Sequence, residues 1–217
     1  MENTLILVPA TILLSALLFF EKKDSVPGKL LTKTPLSLLF ILAATLQNHP
    51  VPAYYNFLLI GLILCLGGDV LLIFPQKKAF LLGLVTFLLG HVFYVIAFFK
   101  VSQISSPAWI VTLLILIFSI GVFFRLRAHL GSMLVPVILY IVVITSMVIG
   151  AGSVLFDSML PCNGRYIVFA GALLFYFSDL FVARNRFVEK AFFNRLLGLP
   201  LYYSGQFLLA FSVGMMG

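Results

Sequence analysis

The sequence predicts an all-α protein, a polytopic transmembrane helical bundle of eight helices. Composition is the first reason. Of 217 residues, 62% are apolar or aromatic and only 10% charged, with a mean hydropathy of +1.17. Soluble proteins carry roughly 25% charged residues, so a soluble enzyme, a disordered chain and a disulfide scaffold are excluded. Length is the second: apolar runs of about 20 residues, enough to cross a bilayer, recur along the chain. Patterning is the third. Barrel strands alternate apolar and polar residues, whereas runs such as 58–66 and 111–117 barely alternate.

Eight segments fit: 4–20, 35–48, 55–74, 79–99, 107–124, 133–155, 164–183 and 200–216. Lys22 and Lys23 follow the first segment rather than precede it, as expected of a retained helix and not of a cleaved signal peptide. The second is short, reaching about 21 Å. Thr34 is placed to cap it and Pro35 occupies the favoured first position. Extension back through Leu30 and Leu31 would leave Lys33 to snorkel to the interface. Loop charges justify the remaining breaks. Lys22, Lys23, Lys29 and Lys33 separate segments 1 and 2, Lys77 and Lys78 segments 3 and 4, and Arg125 and Arg127 segments 5 and 6. Arg184, Arg186, Lys190 and Arg195 separate 7 and 8. Twelve of the 14 Lys and Arg thus fall on one side, leaving Lys100 and Arg165 on the other. The positive-inside rule then puts both termini outside. Without a second crossing the same charges split 6 to 8 and the bias vanishes.

The whole chain, 1–217, reads as one transmembrane domain. A weak four-plus-four parallel repeat is visible: GGDVLLIF with GHVFYVIAF in the first half, FSDLFVAR with YYSGQFLLAF in the second. Asp69 and Asp179 stand 110 residues apart. The net charge of +7 orients helices and meets anionic lipid, so membrane lipids and not nucleic acid are the expected surroundings. Cys65 lies in an apolar run and Cys162 in a loop, with neither metal spacing nor a disulfide framework. Compact loops without an added soluble domain point to a bacterial inner membrane.

Polar residues inside the spans locate the chemistry. An ionised Asp at a helix centre costs about 2.5–3.5 kcal/mol on insertion scales. Of seven acidic residues only Asp69 and Asp179 fall inside predicted spans, at similar depth. His91 is the one histidine in a span and shares a face with Tyr94. Tyr176 lies three before Asp179, and Tyr203 three before Gln206. Together these seven residues are expected to line one cavity. His91 stands about 10 Å deeper than Asp69, too far for a direct bond between straight helices. No metal and no cofactor is expected, because one intramembrane His, two Asp and one Cys make a poor zinc set. Ser178 adjoins Asp179 on a different helix face, and no GxSxG elbow is present, so a serine triad is not expected.

The run GDVLLIFPQKKAFLLGLVTFLLGHVFYVIAF resembles the Gly-Asp … Gly-His … Tyr … Ala-Phe core of the YhhN-type lysoplasmalogenase family. FAGALLFYFSDLFVARNRF resembles that family's Gly-Ala … Ser-Asp signature, and YYSGQFLLAF its last helix. Lys33 and Pro35 resemble its Lys-Pro start of helix 2, with Thr34 intervening. The resemblance implies a multi-helix membrane hydrolase. Its substrate would be a lysophospholipid whose vinyl ether bond is cleaved to a fatty aldehyde and glycerophosphocholine or glycerophosphoethanolamine.

Vinyl ether hydrolysis protonates the β-carbon, passes through an oxocarbenium ion and adds water. Two carboxyl groups suit it, one holding its proton and one ionised, as in glycoside cleavage. Asp69 and Asp179 would carry these roles in an order the sequence leaves open. His91, Tyr94, Tyr176, Tyr203 and Gln206 would support them, and Lys33, Arg184 or Arg186 would hold the lipid phosphate. The alternative is a proton-coupled transporter or lipid-binding membrane protein, since intramembrane carboxylates also form proton relays.

Overall fold

The computed structural model describes residues 2–105 and 107–217, and among them it is helical without a strand. In chain order the helices are α1 (Glu2–Lys22), α2 (Val26–Thr45), α3 (Pro52–Leu71), α4 (Lys77–Val101), α5 (Ala108–Leu130), α6 (Leu134–Phe156), α7 (Cys162–Ala183) and α8 (Phe192–Ser212). A 3₁₀ turn, Gly131–Met133, joins α5 to α6, and a π turn, Arg184–Val188, extends α7. Seven helical stretches are long and apolar enough to cross a membrane; α5 and α6 count among them as one stretch, Ala108–Phe156. This is an integral membrane protein. Its outer faces carry exposed Leu5, Ile12, Trp109, Leu113 and Ile117, as lipid contact requires.

Two boundaries differ from the sequence reading for a common reason. Helix α2 starts at Val26, not Pro35. Ser25 caps it by accepting the Gly28 N–H, and Pro27 sits in the first turn. Pro35 is therefore interior, and the extra turns carry Lys33 into the bundle, where it is buried. Helix α8 likewise starts at Phe192 with Pro200 inside it. Membrane helices tolerate such prolines because neighbouring helices and side chains re-satisfy the freed backbone groups. Between α1 and α2 the chain turns sharply. The Asp24 N–H bonds the Glu21 carbonyl and the Ser25 N–H the Phe20 carbonyl, with Asp24 at φ 49. That is a Schellman ending with Asp in the left-handed position usually held by Gly or Asn.

The tightest packing joins α3 to α4 and α7 to α8. A Cβ added at Gly61 would lie 3.0 Å from the Gly90 carbonyl oxygen, and one at Gly90 3.1 Å from that of Gly61. Gly171 and Gly205 face each other in the same manner, at 3.1 and 2.8 Å. Small residues at a seam let two backbones approach. Asp69 follows Gly61 by eight residues, and Asp179 follows Gly171 by eight. Each carboxylate therefore sits about 12 Å along its helix from a glycine contact. Helix α6 bridges α4, α5 and α7, and α2 bridges α1, α3 and α8, so the carboxylate-bearing helices are flanked on both sides.

Candidate active site

Asp69, near the end of α3, is 1% exposed and well supplied with partners. The Lys33 ammonium stands 3.0 Å from its Oδ1. The Ser37 and Tyr202 hydroxyls both donate to its Oδ2 at 2.6 Å. Lys33 and Ser37 reach it because they are one turn apart on α2. From there the network runs outward through α8 and α4. Ser37 Oγ lies 3.1 Å from the Tyr203 hydroxyl. Gln206 Nε2 donates to the Tyr202 oxygen at 3.1 Å, and Gln206 Oε1 accepts from the Tyr94 hydroxyl at 2.8 Å.

Asp179 on α7 is poorer in partners. Among the described residues it forms no ion pair, and it receives one hydrogen bond, from the Tyr140 hydroxyl at 2.6 Å. Both carboxylates nevertheless line one narrow cavity of about 50 Å³, together with Lys33, Phe87, Asn194 and Tyr202. Two further spaces adjoin it. One is a polar vestibule of about 490 Å³ lined by Glu21, Lys22, Asp24, Lys29, Arg186 and Lys190. Leu72, Phe80, Val182 and Arg195 border both the vestibule and the cavity. The other is an apolar slot of about 70 Å³ between α4, α5, α6 and α7, lined by Val122, Ile141, Ile144 and Leu180. Asp179, Phe80, Leu84 and Val182 border both the slot and the cavity.

The structure gathers Asp69, Lys33, Tyr203, Gln206 and Tyr94 into one hydrogen-bonded cluster. Tyr176 turns away from the carboxylates to bond Ser119 at 2.7 Å, although its ring lines the slot. His91 is fully buried among Phe175, Tyr140 and Tyr94, and neither ring nitrogen has a partner among the described residues. Arg184 bonds Asn194 at 2.9 Å and Glu189 at 2.7 Å and does not line the cavity. Ser178 Oγ bonds its own helix at the Phe175 carbonyl. Among the described residues no three His, Cys, Asp or Glu side chains come together as a metal site.

Sequence reasoning passed over Ser37, Tyr140, Tyr202 and Arg195. For three of them a helical signal was present. Ser37 follows Lys33 by four residues, Gln206 follows Tyr202 by four, and Tyr202 follows Arg195 by seven, so each pair shares a face. Tyr140 has no such companion; only the packing of α6 on α7 brings it to Asp179.

A model described as the YhhN family matches residues 28–213, a span that includes both carboxylates and every partner named above. The chain is 30% identical over 176 residues to a protein of Mycobacterium bovis named lysoplasmalogenase, covering 77% of this chain and 63% of that one. It is 34% identical over 160 residues to lysoplasmalogenase TMEM86B of Rattus norvegicus, covering 73% and 62%. A lysoplasmalogenase homolog of Dictyostelium discoideum is 26% identical over 203 residues, covering 77% and 66%. The chain thus spans a little under two thirds of the length of these relatives. No solved structure matches it. With its matched region running from the first turn of α2 past the end of α8, the chain belongs to the YhhN family.

Proposed function

We propose that the protein hydrolyses the vinyl ether bond of lysoplasmalogens with Asp69 and Asp179 as the reacting acid–base pair. One observation carries the reading: two carboxylates line a single cavity that shares wall residues with both a polar vestibule and an apolar slot. A single-chain lipid has the matching order of head group, reactive bond and tail. The naming of the mycobacterial and rodent relatives supports the same chemistry.

The partners divide the roles. Asp69, beside the Lys33 ammonium and under two hydroxyl donors, serves as the carboxylate. Asp179, without a cation, serves as the acid. Asp179 gives its proton to the β-carbon; the double-bond electrons form that C–H bond, and the ether oxygen lone pair stabilises the cation at the α-carbon. Water adds there as Asp69 takes its proton, giving a hemiacetal. The C–O bond to glycerol then breaks, Asp69 returns its proton to the leaving oxygen, and the hemiacetal hydroxyl proton passes to Asp179. Both carboxyl groups regain their starting states in one turnover. Tyr94, Gln206 and Tyr203 hold Tyr202 and Ser37 against Asp69, as a preorganised site requires. Tyr176 lines the slot beside Asp179, and His91 packs against the ring of Tyr140, the residue that bonds Asp179.

The chain is further read as one domain with eight crossings, α5 and α6 forming a hairpin, and with both termini outside a bacterial inner membrane. Packing of α5 on α6, with Ser119 Oγ 2.7 Å from Thr145 Oγ1, supports the hairpin. A four-plus-four repeat is supported by the twin glycine seams, each eight residues before its Asp, and by the supply of Asp69 from α2 and of Asp179 from α6.

The test is aldehyde release from purified protein given alkenyl-, alkyl- and acyl-lysophospholipids. Turnover of the alkenyl lipid alone is expected, with Asp69→Asn and Asp179→Asn each inactive while still inserted and folded. Wild-type activity in either variant overturns the scheme. Absence of aldehyde with lipid bound favours the transporter or lipid-binding alternative.

A further inference from the structure

We infer that Arg195 anchors the phosphodiester of the lysolipid and so sets a preference for phosphorylated over phosphate-free alkenyl glycerols; the inference rests on the hydrolase reading above. Arg195 occupies the first turn of α8 and borders both the vestibule and the cavity. Its side chain is 27% exposed, enough to meet a ligand at the neck between them. Among the described residues its one ion-pair partner is Glu21, 3.7 Å from Nε, and its two terminal amines carry no hydrogen bond. A guanidinium fork left in this state is suited to two phosphate oxygens at once.

Of the other cations lining the cavity or the vestibule, all but Lys22 are engaged elsewhere. Lys33 holds Asp69, Lys29 and Lys190 hold Asp24, Arg184 holds Asn194 and Glu189, and Arg186 lies 4.1 Å over the Phe80 ring. The spacing also fits. Arg195, Gly198, Leu199 and Tyr202 form one face of α8 along the cavity. Arg195 and Tyr202, the residue that bonds Asp69, stand about 10 Å apart along the axis. In a lysoplasmalogen six bonds separate phosphorus from the vinyl α-carbon, about 7–8 Å when extended. A hydrogen bond at the phosphate end makes up the remainder. A phosphate on Arg195 therefore brings the vinyl ether level with Asp69 and sends the chain past Asp179 toward the slot.

The experiment compares kcat/KM for a lyso-alkenyl-glycerophosphoethanolamine and for the matching 1-alkenylglycerol, using the full-length protein in detergent. The wild type is expected to prefer the phosphorylated lipid about 10- to 100-fold, as a charge-assisted pair of hydrogen bonds would give. In Arg195→Gln the preference falls to within about threefold of unity. Arg195→Lys is intermediate, because an ammonium keeps the charge and loses the fork. Arg127→Gln, which removes a charge stacked on Phe124, keeps the wild-type preference. An undiminished preference in Arg195→Gln overturns the inference, as does an equal loss on both substrates, which is the mark of a merely structural role. If Arg195→Gln does not accumulate, an unchanged preference in Arg195→Lys overturns it. Aldehyde from neither substrate with the wild type refutes the hydrolase reading itself, whatever Arg195 does.

Discussion

Replacing Lys33 by Met removes the ammonium 3.0 Å from Asp69 and leaves a side chain of similar bulk. At that distance and an effective dielectric of about 20, the lost attraction is about 5 kcal/mol. Part is offset, because the ammonium no longer has to be desolvated; its side chain is only 6% exposed. The Ser37 and Tyr202 hydroxyls remain on Oδ2 and continue to support the charge. The expected net loss is about 3 kcal/mol, at the low end of what breaking a buried pair costs. For a chain of this size that lowers the unfolding midpoint by about 6–12 °C. Burial of Cys65 provides the assay: in a Cys162→Ser background, a thiol-reactive dye reports exposure of Cys65 as the bundle opens on heating. Pairing Lys33→Met with Asp69→Asn removes both charges and is expected to recover at least half the loss. Melting of Lys33→Met with the wild type refutes the reasoning, and so does a double variant no more stable than Lys33→Met alone.

Other perturbations follow from the same geometry. Gly205→Ala places a Cβ 2.8 Å from the Gly171 oxygen and 3.0 Å from the Phe175 nitrogen, backbone atoms with no rotamer to yield, and should cost about 2 kcal/mol in thermal melts. Gly67→Ala meets nothing within 4 Å and should gain about 0.5–1 kcal/mol from helix preference in the same melts. Tyr202→Phe strips one donor from Asp69 and one acceptor from Gln206, and should cut kcat for aldehyde release about tenfold or more with little change in KM. A change confined to KM contradicts its place in the site. At the α1–α2 turn, hydrogen bonds from Lys29 and Lys190 hold the Asp24 carboxyl below its ordinary value of 3.8. A depressed value means that this contribution is complete above the ordinary value and fades as pH falls through the folded one. With 66% of the Asp24 side chain exposed it amounts to under about 1 kcal/mol. Asp24→Asn, whose amide suits the left-handed position, should therefore lose this pH dependence, its stability relative to the wild type being lower at pH 7 than near about pH 2.

The two carboxylates were legible in the sequence because an acid in an apolar run contradicts its surroundings, and no neighbouring residue disguises it. Lys33 was legible as a charge but not as Asp69's partner. Pro35 looks like a helix start, and only the Ser25 cap and the chain turn at Asp24 show that α2 began two turns earlier. Tyr202 and Tyr203 are adjacent and chemically identical, so choosing between them requires knowing which face of α8 meets α3. Arg184 and Arg195 both belong to a loop-proximal basic run. Helical phase separates them, since α8 begins at Phe192 and carries Arg195 inward while Arg184 folds onto Glu189. Tyr140 was illegible because an aromatic residue on an apolar helix is more often packing than chemistry.

The glycine seams bear on the order of assembly. Each joins a helix to the next one in the chain, so α3–α4 and α7–α8 are hairpins of short sequence separation, able to form as soon as both members have left the ribosome. Lys33 and Ser37 also precede Asp69, and the charged half of the site can be neutralised while the second half of the chain is still being made. Tyr202 arrives only with the last hairpin. Until then Asp69 lacks its third donor, and the wall that Gly198, Leu199 and Tyr202 give the cavity is missing. A nascent chain halted after α6 would hold one of the two carboxylates and its counter-ion, and the cavity that both carboxylates line would form only once α7 and α8 are in place.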